Sequence, residues 1–333
     1  MIGIDNTMKI RPTYFCRLIV ILASLSMYSA AYCSDPLTRI AAGSCNRQDL
    51  PQPLWDSILK FQPQLWVWLG DNIYGDTDDM ALLAEKWMEQ KKNRGYKNLI
   101  ESCLADGIWD DHDYGRNDAG SGYEWKSESQ RLFLDFLDEP VASPRRMQSG
   151  IYASRVFGPE GQRVCLILLD VRTHRDAPRT GGDILGKEQW EWLENSLRSS
   201  TAQIHIICSG SQILPAEHRH EKWNDYPGSR ERLLKLIGST QIGGVILLSG
   251  DRHFAEFSRL ENPWGGRPLH EMTTSGLTHF YKNFRGEKNS LRVGETFAEL
   301  NFGTISIHWE TRHIELAIRD AQGVATRTAS IAF

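Results

Sequence analysis

Several protein classes are excluded by what this sequence lacks. It has no Cys-x-x-Cys pair, and its six cysteines (16, 33, 45, 103, 165 and 208) are widely spaced, which excludes a small disulfide-stapled scaffold. It has no internal repeat and no low-complexity tract, so a solenoid or a collagen-like array is excluded. Positive charge is not in excess. Lys+Arg 38 against Asp+Glu 42 gives a net charge of −4, which argues against a general polyanion-binding surface. There is no Gly-x-Ser-x-Gly elbow, no glycine-rich phosphate loop and no His-Glu-x-x-His, so serine-hydrolase, P-loop and zincin chemistries lack their carriers. The longest apolar run, 18–31, is about 14 residues, short of a membrane span.

What is present is an ordinary globular balance, 41% hydrophobic and 24% charged over 333 residues. A chain of this length buries enough surface to fold without a disulfide or a metal. Lys9, Arg11 and Arg17 precede the apolar run, and Ser29-Ala30-Ala31 closes it with small residues. That order predicts a signal peptide over 1–31 and one domain over 35–333. The expected protein is secreted, periplasmic or extracellular, and not integral to a membrane after cleavage. Cys33 raises lipid anchoring, but Tyr32 before it fits such a site poorly.

Apolar strand-like runs alternate with amphipathic helical ones. Strands are predicted at 39–42, 65–69, 107–109, 164–169, 204–208 and 245–248, and helices at 54–61, 81–93, 96–103, 126–138, 187–199 and 230–237. From 304 onward apolar and polar residues alternate over 304–309, 313–319 and 324–331, the pattern of an antiparallel meander. The pattern is therefore α/β with an antiparallel end. Four long loops, 113–125, 172–186, 214–229 and 261–290, are rich in Gly, Pro and Trp. His218 and His220 read as exposed loop residues. Trp223, Tyr226 and Trp264 could either grip a ligand or pack beneath the loops.

The apolar runs end repeatedly in Gly, Asp, His, Cys or Asn. In α/β sheets, ligands bind beyond the carboxyl ends of strands. Asp71, Asp111, His112, Asp251 and His253 all fall there, and Cys45 closes another strand. Carboxylates converging at one rim repel each other unless protonated or bound to a cation. A multivalent metal cluster removes that conflict and suits hydrolysis of a charged ester.

At these positions the sequence resembles a known family. Gly70-Asp71-Asn72-Ile73-Tyr74 is similar to the Gly-Asp-x-x-Tyr element of metallophosphoesterases. Trp109-Asp110-Asp111-His112-Asp113, with Asn117 after it, resembles a signature of the PhoD-like (alkaline phosphatase D) family. So do Ser249-Gly250-Asp251-Arg252-His253, Ser44-Cys45-Asn46, the segment from Leu169 to Arg175, and Leu185-Gly186 with Gln189, Trp192 and Leu193. Six elements in the family's order cover roughly 38–280.

The resemblance implies a four-layer α/β/β/α sandwich of metallophosphoesterase type. It implies Fe3+ and Ca2+ as cofactors, with other divalent ions open, and Cys45, Asp71, Tyr74, Asp111, Asn117, Asp251 and His253 as metal ligands. His112 would assist the leaving oxygen or the transition state. Arg172, with Arg175 or Arg252 as companions, would supply the cation that meets the substrate's negative charge. The implied reaction is hydrolysis of phosphate mono- or diesters by attack of a metal-bound hydroxide on phosphorus. The implied partner is a small phosphate ester; no nucleic-acid or protein partner is indicated. Three departures from the family's pattern stand out: the residues before Thr38 leave no room for the N-terminal β-domain expected of longer members, Ser209–Gln212 stand where the superfamily has a His, and Asp113 replaces a Glu. Two other readings remain, a catalytically silent PhoD-like binding protein and a metal hydrolase acting on a non-phosphorus ester.

Overall fold

The computed structural model describes residues 35–240, 242–261 and 267–333. The expected signal peptide, Cys33 and Trp264 lie outside them. In chain order the elements are β1 (Arg39–Gly43), α1 (Trp55–Phe61), β2 (Leu65–Leu69), α2 (Met80–Lys92), α3 (Arg94–Ile100), β3 (Leu104–Ile108), α4 (Asp111–Tyr114), α5 (Lys126–Phe136), β4 (Ala153–Phe157), β5 (Val164–Leu168), α6 (Lys187–Arg198), β6 (Ile204–Ser209), α7 (Pro227–Thr240), β7 (Val245–Ser249), β8 (Ala255–Leu260), β9 (Leu269–Thr273), β10 (Arg292–Phe297), β11 (Phe302–His308), β12 (His313–Arg319) and β13 (Ala325–Ala332).

Two sheets result. One runs β13-β12-β11-β1-β2-β3 and the other β10-β8-β9-β7-β6-β5-β4. Strands β1, β2 and β3 are parallel to one another, as are β5, β6, β7 and β9. The C-terminal meander β11-β12-β13 is antiparallel and joins β1, as its alternation predicts.

Strand periodicity explains the layering. Leu166, Leu168, Ile206, Cys208, Ile246 and Leu248 share one buried cluster with Ile40, Val67, Leu69 and Ile305 of the other sheet. Their neighbours Cys165, Ile167, Ile207 and Leu247 join Trp190, Leu193, Leu233 and Ile237 of α6 and α7 instead. The second sheet is thus covered on both faces, which is why its strands read as unbroken apolar runs. On the first sheet Trp66 and Trp68 meet Trp55 edge-on at centroid distances of 5.3 and 5.7 Å, and Trp68 meets Tyr96 at 5.4 Å and Phe136 at 6.1 Å. Each such pair adds about 0.5–1.5 kcal/mol beyond area burial. The result is the α/β/β/α sandwich. No helix of the described residues is long and apolar enough to cross a membrane.

Four strands escape the sequence pattern. In β8 and β9, buried Glu256 and Glu271 interrupt the apolar run. Glu271 accepts from the backbone N–H of Ile213 and Leu214, and Glu256 accepts from Gln212 and Asn289. Strands β4 and β10 are partly exposed edges. The expected loop 261–290 therefore contains β9.

The carboxyl ends of the two sheets are drawn together through glycine. A Cβ on Gly210 would lie 2.5 Å from Asp110 Cγ, and one on Gly250 would lie 2.6 Å from both the Leu69 carbonyl and Ser44 Oγ. Gly210→Ala and Gly250→Ala should each cost about 1–3 kcal/mol of stability by forcing these ends apart, read as a lower urea midpoint. Gly228→Ala, with nothing within 4 Å of the new carbon, should not lower it.

Candidate metal centre and its cleft

The ends of β1, β2 and β7 deliver their chemistry through tight, locally strained turns. Cys45, Asp71, Asp251 and His253 all adopt positive φ (57°, 50°, 68° and 55°). Such backbone in non-glycine residues costs about 1–3 kcal/mol each and gathers at functional sites. After β1 and β2, the Asn46 N–H donates to the Asp71 carbonyl at 2.7 Å, which holds the two ends side by side. Cys45 Sγ then lies 3.4 Å from Asp71 Oδ2 and 2.9 Å from Ser275 Oγ. The Tyr74 hydroxyl is 3.5 Å from Asp71 Oδ2, 3.1 Å from His253 Nε2 and 2.9 Å from His279 Nε2. Asp113 clamps the β2 and β3 ends, accepting from the backbone N–H of Ile73 and Asp110 and from the Asn72 amide.

Donor atoms of Cys45, Asp71 and His253 lie within 4.8 Å of one another, as do those of Asp71, Asp111 and His112, and of Asp111, Asp118 and Glu221. Among the described residues, Asp71 Oδ1, Asp110 Oδ2 and Asp251 Oδ2 are buried without a hydrogen-bond partner. Burial, then the neighbouring Cys45 and Asp111, pushes the Asp71 carboxyl well above its usual range. Burial also carries Asp251 up to about 7 against the pull of Arg252. Asp111 moves the other way despite burial. Arg172 and His112, with backbone N–H groups from Asp118 and His112, hold it at about 2. Burial lifts the Cys45 thiol to about 11 and drops His253 to about 3 and His279 to about 4. Unpartnered acceptors and neutral imidazoles at one rim match the donor set of a multivalent cation.

His112 stands beside this rim. Its ring stacks on Tyr74 at 4.1 Å, and its Nδ1 bonds Asp76 Oδ1 at 2.7 Å. Burial works against the charged imidazole, but Asp76 and Asp111 outweigh it and raise its pKa. Asp76→Asn removes that support, so the imidazolium should be lost at lower pH. The alkaline limb of the kcat profile should move down in pH, with kcat reduced about tenfold; an unmoved limb would separate His112 from Asp76.

Residues 105–313 match the family model of the PhoD-like phosphatases. The chain belongs to the PhoD-like phosphatase family. It is 31% identical over 306 residues to alkaline phosphatase D of Bacillus subtilis (strain 168), a match covering 80% of this chain. It spans about half the length of that relative, 50%. The solved structure of PhoD superimposes with a TM-score of 0.72 at 17% identity, covering 91% of this chain and 70% of that one. A dimetal phosphatase from Danio rerio gives 0.55 at 15% identity, covering 90% of this chain and all of that one, 100%. Both likenesses show the fold.

Within this site, the residues singled out in the sequence divide into groups. Cys45, Asp71, Tyr74 and His253 gather on one side, and Asp71, Asp111 and His112 on the other. Asp251 and His253 line a cleft of about 580 Å³ together with Asp111, His112, Asn117 and Arg252. Asn117 sits exposed on its rim, its amide donating to Asp118.

Arg172 is placed differently from the expectation of a substrate contact. It is wholly buried, with Nε on Asp110, Nη1 3.1 Å from Glu221 and Nη2 3.8 Å from Asp111. It neutralises carboxylates beneath the cleft and is not part of the cleft wall. Arg175, which pairs with Glu221, and Arg252, which donates to Glu287 at 2.6 and 2.7 Å, do line it. His218 is buried, contrary to the reading of an exposed loop residue, as are Trp223 and Tyr226 of the same 214–229 loop. Those two rings pack beneath the loops, with Trp223 Nε1 donating to Ser209 Oγ and the Tyr226 hydroxyl to the Asp176 carbonyl.

Sequence reasoning passed over Asp76, Asp118, Glu221 and His279. His279 follows a strand end by six residues, but that strand is β9, whose buried Glu271 hid it; Asp118 lies ten residues beyond β3, past α4. Glu221 carries no signal in the sequence.

Proposed function

We propose that this chain is a metal-dependent phosphatase hydrolysing phosphate mono- and/or diesters. The observation that carries the reading is that Asp71 gathers with Cys45 and His253 and with Asp111 and His112, beside a cleft that Asp111 and Asp251 line, while Asp71 Oδ1 and Asp251 Oδ2 are buried without a hydrogen-bond partner. Cys45, Asp71, Tyr74 and His253 would hold one ion. Sulfur, phenolate and imidazole donors suit Fe3+ there, as in the family the chain resembles. Asp71, Asp111, Asp251 and Asn117 would hold a second, and their oxygens suit Ca2+. Bound cations supply water activation near neutral pH and charge neutralisation at phosphorus.

The chain's own residues do the rest. His112, held by Asp76, keeps a proton on Nε2 above the cleft for the departing oxygen. Arg252 faces the cleft and orients the phosphoryl oxygens in trade for its contacts with Asp251 and Glu287. Arg172 keeps Asp111 ionised, so that it is ready to bind a cation. Residues 35–333 act as one domain, and the basic-then-apolar order of residues 1–31 supports export, which N-terminal sequencing of the mature protein tests.

Assays on p-nitrophenyl phosphate and its bis-ester, with elemental analysis of the same preparation, test the proposal. Turnover of at least one ester, lost on chelation and competitively inhibited by inorganic phosphate, is expected. Metal content without turnover would favour a silent binding protein, and turnover of carboxylic esters indifferent to phosphate would favour the other hydrolase.

A further inference from the structure

We propose that His279 is a further protein ligand of the centre formed by Cys45, Asp71, Tyr74 and His253, an inference that rests on the metal-dependent reading above. Three observations carry it. First, the Tyr74 oxygen, His253 Nε2 and His279 Nε2 lie within 3.2 Å of one another: 3.1 Å, 2.9 Å and 3.2 Å on the three edges. The second imidazole meets the same point as two donors already in the site.

Second, hydrogen bonding sets the His279 tautomer. The backbone N–H of Arg47 donates to Thr278 Oγ1 at 2.8 Å, and the Thr278 hydroxyl has the Cys45 carbonyl as its acceptor at 3.3 Å. Thr278 Oγ1 is then left to accept from His279 Nδ1, 3.1 Å away. With the proton on Nδ1, the Nε2 lone pair points toward Tyr74 and His253. Ligating imidazoles are held in this way by a partner on the other ring nitrogen.

Third, the segment bearing His279 is built into the centre. Ser275 Oγ contacts Cys45 Sγ at 2.9 Å and accepts from the His253 N–H at 2.7 Å. The N–H groups of Leu277 and Thr278 donate to the carbonyls of Ser44 and Cys45 at 3.2 and 3.3 Å. One short stretch after β9 therefore buttresses two donors and delivers a third. A second imidazole beside sulfur and phenolate biases this position toward a transition-metal ion and away from calcium, which takes oxygen ligands.

The test uses the full chain stripped by chelation and titrated with Co2+, followed by visible absorption. The wild-type protein should saturate with ligand-field bands and a thiolate-to-cobalt band. His279→Ala and His279→Gln should each raise the dissociation constant at least about tenfold and alter the ligand-field bands. Added imidazole should restore the wild-type spectrum in His279→Ala. Wild-type affinity and spectrum in both variants would overturn the inference alone. Weakened binding that imidazole does not restore would overturn it too, by marking a structural role. Absence of Co2+ binding in the wild type would remove this inference and the metal-dependent reading together.

Discussion

Asp71→Asn should lose bound metal and ester hydrolysis together, while the metal-free protein becomes more stable. Asp71 belongs to two of the three groups of convergent donors, and its Oδ1 has no hydrogen-bond partner among the described residues. Loss of a residue that merely supports a ligand costs about 10–100-fold in metal affinity or activity, so loss of a shared ligand should exceed 100-fold in kcat/KM. Asn is nearly isosteric and tolerates the φ of 50° that this turn imposes, so the fold should persist. The stability gain has a definite sign with pH. Burial raises the Asp71 carboxyl above its unfolded value, so its contribution is favourable while protonated and is lost as pH rises through the raised value. Thermal melts of metal-free protein should show Asp71→Asn above wild type at pH 8, with the gap closing toward pH 4. Equal metal content in variant and wild type would contradict the assignment.

His112→Ala should separate binding from chemistry. Its Nδ1 is committed to Asp76 and its ring to Tyr74, yet the residue lines the cleft. Removing a positioned proton donor typically costs about 10²–10⁴-fold. That loss should fall on kcat, with metal content preserved and KM little changed. Elemental analysis beside steady-state kinetics checks both halves. A parallel loss of metal would make His112 a ligand, consistent with its proximity to Asp71 and Asp111.

The parts of this molecule that could be read from sequence share one property: their pattern is local. The apolar runs that become β2, β5, β6 and β7 are buried on both faces, so every residue speaks for the strand, and the polar residue that ends each run is conspicuous. That made the rim with Cys45, Asp71, Asp111, Asp251 and His253 legible. What could not be read depends on pairings distant in sequence. Asp76 meets His112 across 36 residues, and Arg172 meets Glu221 across 49. A buried arginine and a cleft-facing one look alike in sequence, and only the carboxylates of Asp110 and Glu221 decide that Arg172 is the former. The strand before His279 was obscured because Glu271 satisfies backbone N–H groups of a neighbouring loop, a role that places charge where the pattern demands an apolar residue.

The central claim is that acidic, imidazole, phenol and thiol groups from separate strand ends share bound cations and that hydrolysis depends on them. Metal quantification on the purified chain before and after chelation, with p-nitrophenyl phosphate turnover measured on the same samples, tests it most directly. At least one tightly bound multivalent ion per chain, activity falling in proportion to its removal and returning on its replacement, is predicted. Undiminished turnover from a preparation holding no metal would contradict it.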